Sequence, residues 1–324
     1  MDLGYIHTQA SQLKLRSVMY DLIGDLHGHF TELISLLKLM GYSERDGAWR
    51  HPERTLILVG DLIDRGRQQR ELIGTVRAMI DAGSARMCLG NHELNAIGYA
   101  TKNPSAPDTY LRPHTAHNLK HHIRFLEAYP DEGERRSVIE WFKTLPLWLD
   151  LDDLKVIHAC WHEEHQAVVR PHLTSNLALG EELFTGFYER DTAEFLSIEV
   201  LLKGIERELP DNMSYVDSQG TERTSTRMKW WTAHDRWVDA VVDSEGNITP
   251  QIDPSYTLDP PTYHYQGDAP IFFGHYWMRG APHILSPKAI CLDWSVAKKG
   301  RLAAYRWHPD EEINDQRWVS TESV

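Results

Sequence analysis

Five short apolar runs, Val18–Ile23, Thr55–Val59, Ala85–Leu89, Leu154–Ile157 and Ala269–Phe273, each end at Gly-Asp, Gly-Asn or a histidine and then turn polar. Their lengths predict strands. Helical periodicity occupies Thr31–Met40, Gln68–Ala82, Asn118–Tyr129 and Glu134–Thr144, and further on Gly180–Glu189 and Thr192–Leu209. Strands alternating with helices predict a layered α/β core whose polar residues collect at the carboxyl ends of the strands. That edge is where ligands bind in such sheets.

The stretch from 168 to 240 is mostly helical in pattern and has none of these strand-end signatures, so it reads as an inserted cap. Residues 243–270, rich in Pro, Asp, Gly and Ser, read as a long loop returning to the core. "IFFGH" and "AICLDWSVAKKGRLAAYRW" read as strands, the last two joined by a Lys-Lys-Gly turn. The expected organisation is one domain over 19–324 behind a leader of residues 1–18.

At 324 residues and 41% hydrophobic content the chain can bury a sizeable core. A formal net charge of −13 disfavours binding along an extended nucleic acid, while leaving a phosphorylated small molecule or a phosphoprotein open. No apolar run approaches the roughly 18 residues a membrane span needs, and no signal peptide is recognisable, which predicts a cytoplasmic protein. The three cysteines, Cys88, Cys160 and Cys291, are far apart in apolar stretches and read as buried thiols, not as a disulfide framework or a zinc site.

The strand ends carry the chemistry. "LIGDLHGHF" offers Asp25 and His27, "LVGDLIDRG" Asp61 and Asp64, "CLGNHELN" Asn91, His92 and Glu93, "VIHAC" His158, and "FFGHYW" His275. Each alone reads equally well as a Gly-Asp turn, a helix cap at Asn91 or a core histidine. Five in the same setting point to a metal site, with glycine letting the backbone come close to a ligand.

This ordered set resembles the calcineurin-like metallophosphoesterases. "GDLIDRG" with a single terminal Gly-His is similar to the phosphoprotein phosphatase branch, which includes bacterial protein phosphatases and diadenosine tetraphosphatases. The resemblance implies an α/β fold, a four-layer αββα sandwich, around two divalent cations. Mn²⁺ is the usual activator of the bacterial relatives, and the thiolate-free N/O donor set also suits Fe or Zn²⁺. By the same resemblance Asp25, His27 and Asp61 hold one ion, and Asp61, Asn91, His158 and His275 the other, with Asp61 as the bridge and partial contact of His275 with the first ion as the alternative. A hydroxide shared by the ions would attack phosphorus directly, so no Ser or Cys nucleophile is needed. His92 is the implied general acid, Asp64 its orienting partner, Arg65 a phosphate clamp beside Asn91, and Glu93 a support.

The family's second phosphate-binding arginine has no obvious match. Arg227 of "RTSTRMKWW" is the candidate, against an exposed strand whose Lys and Arg face water. Asp293 of "CLDW" is expected to hydrogen-bond a ligand histidine. His114, His117, His121 and His122 of "HTAHNLKHH" read as a solvated helix face near the entrance, or as an adventitious metal cluster. The tryptophans of "KWWTAHDRW" read as packing, with an aromatic wall for a base as the alternative. The implied activity is that of a metal-dependent phosphoesterase, either a bacterial-type protein phosphatase or a small-molecule phosphatase. A dinucleoside polyphosphate hydrolase is the alternative, and a catalytically silent binding protein the remote one.

Overall fold

In this computed structural model, residues 18–186, 191–217 and 220–323 are described. Residues 1–17 of the expected leader, and the end of the helix expected over Gly180–Glu189, lie outside them.

Nine strands form two sheets: β1 (Met19–Ile23), β2 (Arg54–Leu58), β3 (Ala85–Met87), β4 (Trp148–Asp150), β5 (Lys155–Ile157), β6 (Ile271–Phe273), β7 (Ala289–Cys291), β8 (Ala303–Trp307) and β9 (Trp318–Ser320). The first sheet runs β9-β8-β1-β2-β3 and the second β7-β6-β5-β4. Strands β1, β2 and β3 are parallel, as are β5, β6 and β7. Successive side chains point to opposite faces, so each strand serves two cores. Leu22, Ile57, Val156, Phe272, Ile290 and Tyr305 meet between the sheets. Their neighbours Ile23, Leu56, Leu58, Ile271 and Phe273 face outward and pack with helical residues. Burial on both faces explains the near-continuous apolar runs.

The longer helices are α1 (Phe30–Leu39), α2 (Gln69–Asp81), α3 (Asn91–Ala100), α4 (Ala116–Ala128), α5 (Glu132–Phe142), α6 (Glu163–Val169), α7 (Glu181–Gly186) and α8 (Ala193–Lys203). Leu33, Leu36 and Leu37 of α1, Leu72 and Val76 of α2, and Ile198, Leu201 and Leu202 of α8 bury their stripes in the outer core. The result is the expected helix, sheet, sheet, helix layering.

One expectation is corrected and two are extended. The strands joined at Lys-Lys-Gly do not pair with each other: β7 belongs to the second sheet and β8 to the first. Ile290 and Tyr305 meet across the inter-sheet core, and a 3₁₀ turn at Val296–Lys298 carries the chain over. The helix expected over Thr192–Leu209 stops at Lys203, and Glu206–Glu208 then pairs antiparallel with Ser225–Arg227. Past Lys203 the cap is therefore mostly strand and loop, with short helical turns at Pro210–Asn212 and Trp237–Ala240. The expected long loop packs against the cap, where Ile248, Ile252 and Leu258 share a small core with Leu209, Met228 and Trp237. Trp230 and Trp231 pack beside Phe273 and Tyr276, as the packing reading of that stretch holds.

Cys88, Cys160 and Cys291 are buried free thiols. Among the described residues no helix is long and apolar enough to cross a membrane.

Candidate metal centre

Asp25 follows β1, Asp61 follows β2, Asn91 and His92 open α3 behind β3, His158 follows β5, and His275 follows β6. The chain must turn sharply at each strand end. His27, Asp61, Asp64, Arg65 and His275 all have positive φ, between 43° and 76°. Such backbone strain gathers where surrounding structure holds residues for a task. Glycine makes the crowding possible: Gly60 sits at φ +105°, where a Cβ would lie 2.6 Å from the Gly90 backbone. At Gly274 a Cβ would fall 2.1 Å from Asp25 Oδ1.

Two groups of donor atoms result, His27 with Asp61 and His92, and Asp61 with His158 and His275, each spanning no more than 4.8 Å. Asp61 is common to both. Its Oδ2 lies 3.7 Å from His27 Nε2, and its Oδ1 lies 3.5 Å from His158 Nε2. Asp25 Oδ2 stands 3.9 Å from His27 Nε2. Glu93 accepts the backbone N–H groups of Asp61, Leu62 and Gly90 at 2.8, 2.8 and 3.1 Å, which is the expected supporting role.

The donor atoms fit a cation better than they fit one another. His27 Nδ1 donates to Ile63 O at 2.9 Å and His158 Nδ1 to Val59 O at 2.8 Å. A carbonyl only accepts, so in the neutral rings Nε2 is a bare lone pair. His158 Nε2 nevertheless faces Asn91 Oδ1 at 2.9 Å, which sets two acceptors against each other. Among the described residues, buried His275 Nε2 has no hydrogen-bond partner. Burial, aided by the positive charge of His92, holds His27 down to about 3. Burial and Arg227 push His275 well below the usual histidine range. Burial, then Asp293 and Asp61, pushes the Asp25 carboxyl well above its usual range. Neutral rings around crowded carboxylates are what a divalent cation with N/O ligands requires.

His92 is held differently. Its Nδ1 lies 2.5 Å from Asp64 Oδ2, and its Nε2 lies 3.9 Å from Asp61 Oδ2. Burial opposes charge on this ring, but Asp61 and Asp64 outweigh it and raise the pKa. Arg65 lies over Trp277, 5.5 Å from the ring centroid, and its Nε has no hydrogen-bond partner among the described residues. Arg227 also reaches the site, with Nε 3.8 Å from Glu206 Oε1. Arg65, Asn91, His92, Arg227 and His275 line one cleft of about 370 Å³. Lys203, Tyr215 and Arg223 from the cap form part of its wall.

Two expectations fail here. Among the described residues Asp293 bonds no histidine: its Oδ2 accepts Trp277 N–H at 2.7 Å and its Oδ1 accepts Ser295 N–H at 2.9 Å. Both donor residues have positive φ, so the carboxylate anchors two tight turns. The four-histidine stretch is not simply a solvated face. His114 stacks on Tyr99 and Tyr110, His117 and His121 line the cleft, and His122 is buried against Asp64. His122 was the residue missed; its spacing to Phe125 and Tyr129, one turn and two turns on, marks the core face of α4.

The two sheets thus deliver clustered His and Asp donors from five strand ends to one cleft, the framework of a layered α/β metallohydrolase centre. The chain belongs to the calcineurin-like phosphoesterase family, whose model matches residues 20–276. It is 35% identical over 145 residues to an asymmetrical bis(5'-nucleosyl)-tetraphosphatase of Bacillus velezensis, a match spanning 43% of this chain and 55% of that relative. The chain thus spans little more than half the length of that relative. It is 28% identical over 295 residues to a symmetrical bis(5'-nucleosyl)-tetraphosphatase of Edwardsiella ictaluri, covering 88% of this chain and 91% of the relative. A solved cold-active protein-tyrosine phosphatase of a Shewanella species overlays 94% of this chain and 77% of its own, at 16% identity and a TM-score of 0.49.

Proposed function

We propose that this protein is a metal-dependent phosphoesterase that hydrolyses phosphate esters or anhydrides. The observation that carries the proposal is Asp61, whose two carboxylate oxygens each face a separate group of buried donors. Asp25, His27 and Asp61 would hold one divalent ion, and Asp61, Asn91, His158 and His275 the other. When bound, the ions supply Lewis acidity at phosphoryl oxygens and a water acidic enough to ionise near neutral pH. Mn²⁺ is the ion we propose, with Fe or Zn²⁺ compatible with the same donors.

The chain's own residues divide the remaining work. Arg65 and Arg227 bind the phosphoryl oxygens, Arg65 through the planar donors that its position over Trp277 turns to the cleft. His92 gives its Nε2 proton to the departing oxygen as the bond to phosphorus breaks. It is then a neutral ring whose Nδ1–H still points at Asp64. Residues 19–324 would act as one catalytic unit with the cap as the far wall of the cleft. Three buried free thiols support a cytoplasmic setting.

A second reading is favoured by the relatives, two of which are named bis(5'-nucleosyl)-tetraphosphatases. In the cleft Arg65, Arg112, Lys203, Arg223, Arg227 and Lys298 stand among as many acidic residues, Asp61, Asp64, Glu206, Asp217, Asp243 and Glu245, so its charge is mixed. A substrate with several phosphates, as in a dinucleoside polyphosphate, would draw on several of these cations at once, an isolated phosphoserine on fewer. An activity panel with Mn²⁺ over nitrophenyl phosphate, a phosphoserine peptide and diadenosine tetraphosphate decides between them. Turnover of the peptide alone removes the polyphosphate reading, and turnover of none, with metal bound, leaves the silent binding protein.

A further inference from the structure

His122 is buried, 4% exposed, on the inner face of α4. Its ring centroid lies 5.0 Å from those of both Tyr99 and Phe125. Packing alone would be served as well by phenylalanine. Yet Nδ1 sits 3.2 Å from Asp64 Oδ1, while the other oxygen of the same carboxylate is 2.5 Å from His92 Nδ1. An ionised carboxylate only accepts, so both rings direct an N–H at it. One carboxylate therefore joins two histidines from different helices, α3 and α4.

The second bond has a mechanical consequence. The terminal torsion of an aspartate is broad and twofold, so a carboxylate held at one oxygen can swing about its last bond. Asp64 stands on a strained turn at φ +68°, and its backbone is tied by its N–H to Gln69 Oε1 at 3.1 Å and by its carbonyl to Gly66 N–H at 2.9 Å. Those ties fix the main chain and leave the carboxylate plane free. A donor on the other oxygen removes that freedom, and with it the freedom of the His92 ring.

We infer that His122 is a positioning residue: by donating to Asp64 Oδ1 it fixes the carboxylate plane and so aims His92 Nε2 at the departing oxygen. This rests on the phosphoesterase reading of the site. It assigns a function to the histidine-rich stretch that metal binding and phosphate binding leave unused. His122 lies outside both groups of donor atoms and its Nδ1 is spent on Asp64, so its effect should appear through the proton His92 delivers.

The test uses the full-length, metal-loaded protein with two replacements. His122→Phe keeps the ring between Tyr99 and Phe125 and removes the donor. His122→Asn places an amide N–H where Nδ1 was. With His122→Phe, kcat on a phosphoserine peptide should fall by about tenfold, and on nitrophenyl phosphate, whose leaving group needs little protonation, by less than about threefold. KM and metal content should hold in both variants, and His122→Asn should recover most of the loss. A readout independent of turnover, taken on the protein loaded with diamagnetic Zn²⁺, is the downfield imidazole N–H proton resonance that disappears in His92→Asn. It should move in His122→Phe and return in His122→Asn. Equal losses on both esters, or an asparagine variant no better than the phenylalanine variant at an unchanged melting temperature, overturns the inference. If His122→Phe unfolds, His122→Asn alone decides, because a positioning donor predicts near-normal kcat on both esters and a purely packing role predicts a lowered melting temperature. A wild type inactive on both esters with metal bound overturns the phosphoesterase reading instead.

Discussion

His92 differs from its neighbours in what its second nitrogen does. His27 and His158 spend Nδ1–H on backbone carbonyls, and burial keeps both rings neutral, which suits a ligand. His92 spends Nδ1–H on a carboxylate, and Asp61 and Asp64 raise its pKa against burial, which suits a proton donor. Replacing His92 with Asn should therefore leave metal content intact while kcat on a phosphoserine peptide falls by roughly 10²–10⁴-fold, with a smaller loss on nitrophenyl phosphate. His158→Asn should lose metal and both activities together. Equal losses on the two esters in a metal-depleted His92→Asn protein would make His92 a ligand. These donor identities were readable in the sequence because each follows a strand and most follow a glycine. The tie between His122 and Asp64 was not, since it depends on how α4 is rotated, and four histidines in nine residues obscure that phase.

At the scale of the element, the repeated unit is a strand whose alternate residues feed two cores and whose end turns into the cleft. Phe272 is fully buried between the sheets, while Ile271 and Phe273 face the helices. Phe272→Ala should cost about 3–5 kcal/mol of stability in denaturant titration, because a two-sheet interface cannot collapse around the void. A loss below about 1 kcal/mol would show that the sheets do not pack through this residue. Strands of this kind were legible from their local pattern, but their partners were not. Cys291 and Ala303 lie close in sequence, and only the demand for a second face sends β7 and β8 to different sheets. Helix α6 offers a separate test through His162, which precedes it and stacks on Tyr263 at 3.9 Å. Burial, with a smaller effect of His165, holds His162 down to about 4, whereas the unfolded chain takes up that proton near 6.5. A depressed histidine pKa means the unfolded state binds more protons between those values, so the stability is present above about pH 6.5 and lost as pH falls toward about 4. His162→Phe should make the acid side of the stability profile shallower. An unchanged profile would mean that His162 is already charged in the fold.

For the whole molecule, the cleft joins two sheets that also meet in the inter-sheet core. Asp25, His27, Asp61 and Asn91 follow strands of the first sheet, whereas His158 and His275 follow strands of the second. Ions held among them would tie the two sheets at their carboxyl ends, and Asp61 is the one residue found in both donor groups. Metal should then stabilise the fold globally rather than at one loop. With Mn²⁺ at one hundred times its Kd, each site should add about 2.7 kcal/mol, read as a rise in melting temperature that a chelator reverses. Asp61→Asn should lose most of that rise, since an amide is a poor bridge, and the metal-free variant should melt within a few degrees of the metal-free wild type. His92→Asn should keep the full rise, because the proposed ligands are Asp25, His27, Asp61, Asn91, His158 and His275, although His92 stands within the first donor group. The contrast between the two separates holding metal from using it. If Mn²⁺ raises the melting temperature of Asp61→Asn as much as that of the wild type, Asp61 is not the shared ligand and the two donor groups do not act as one centre.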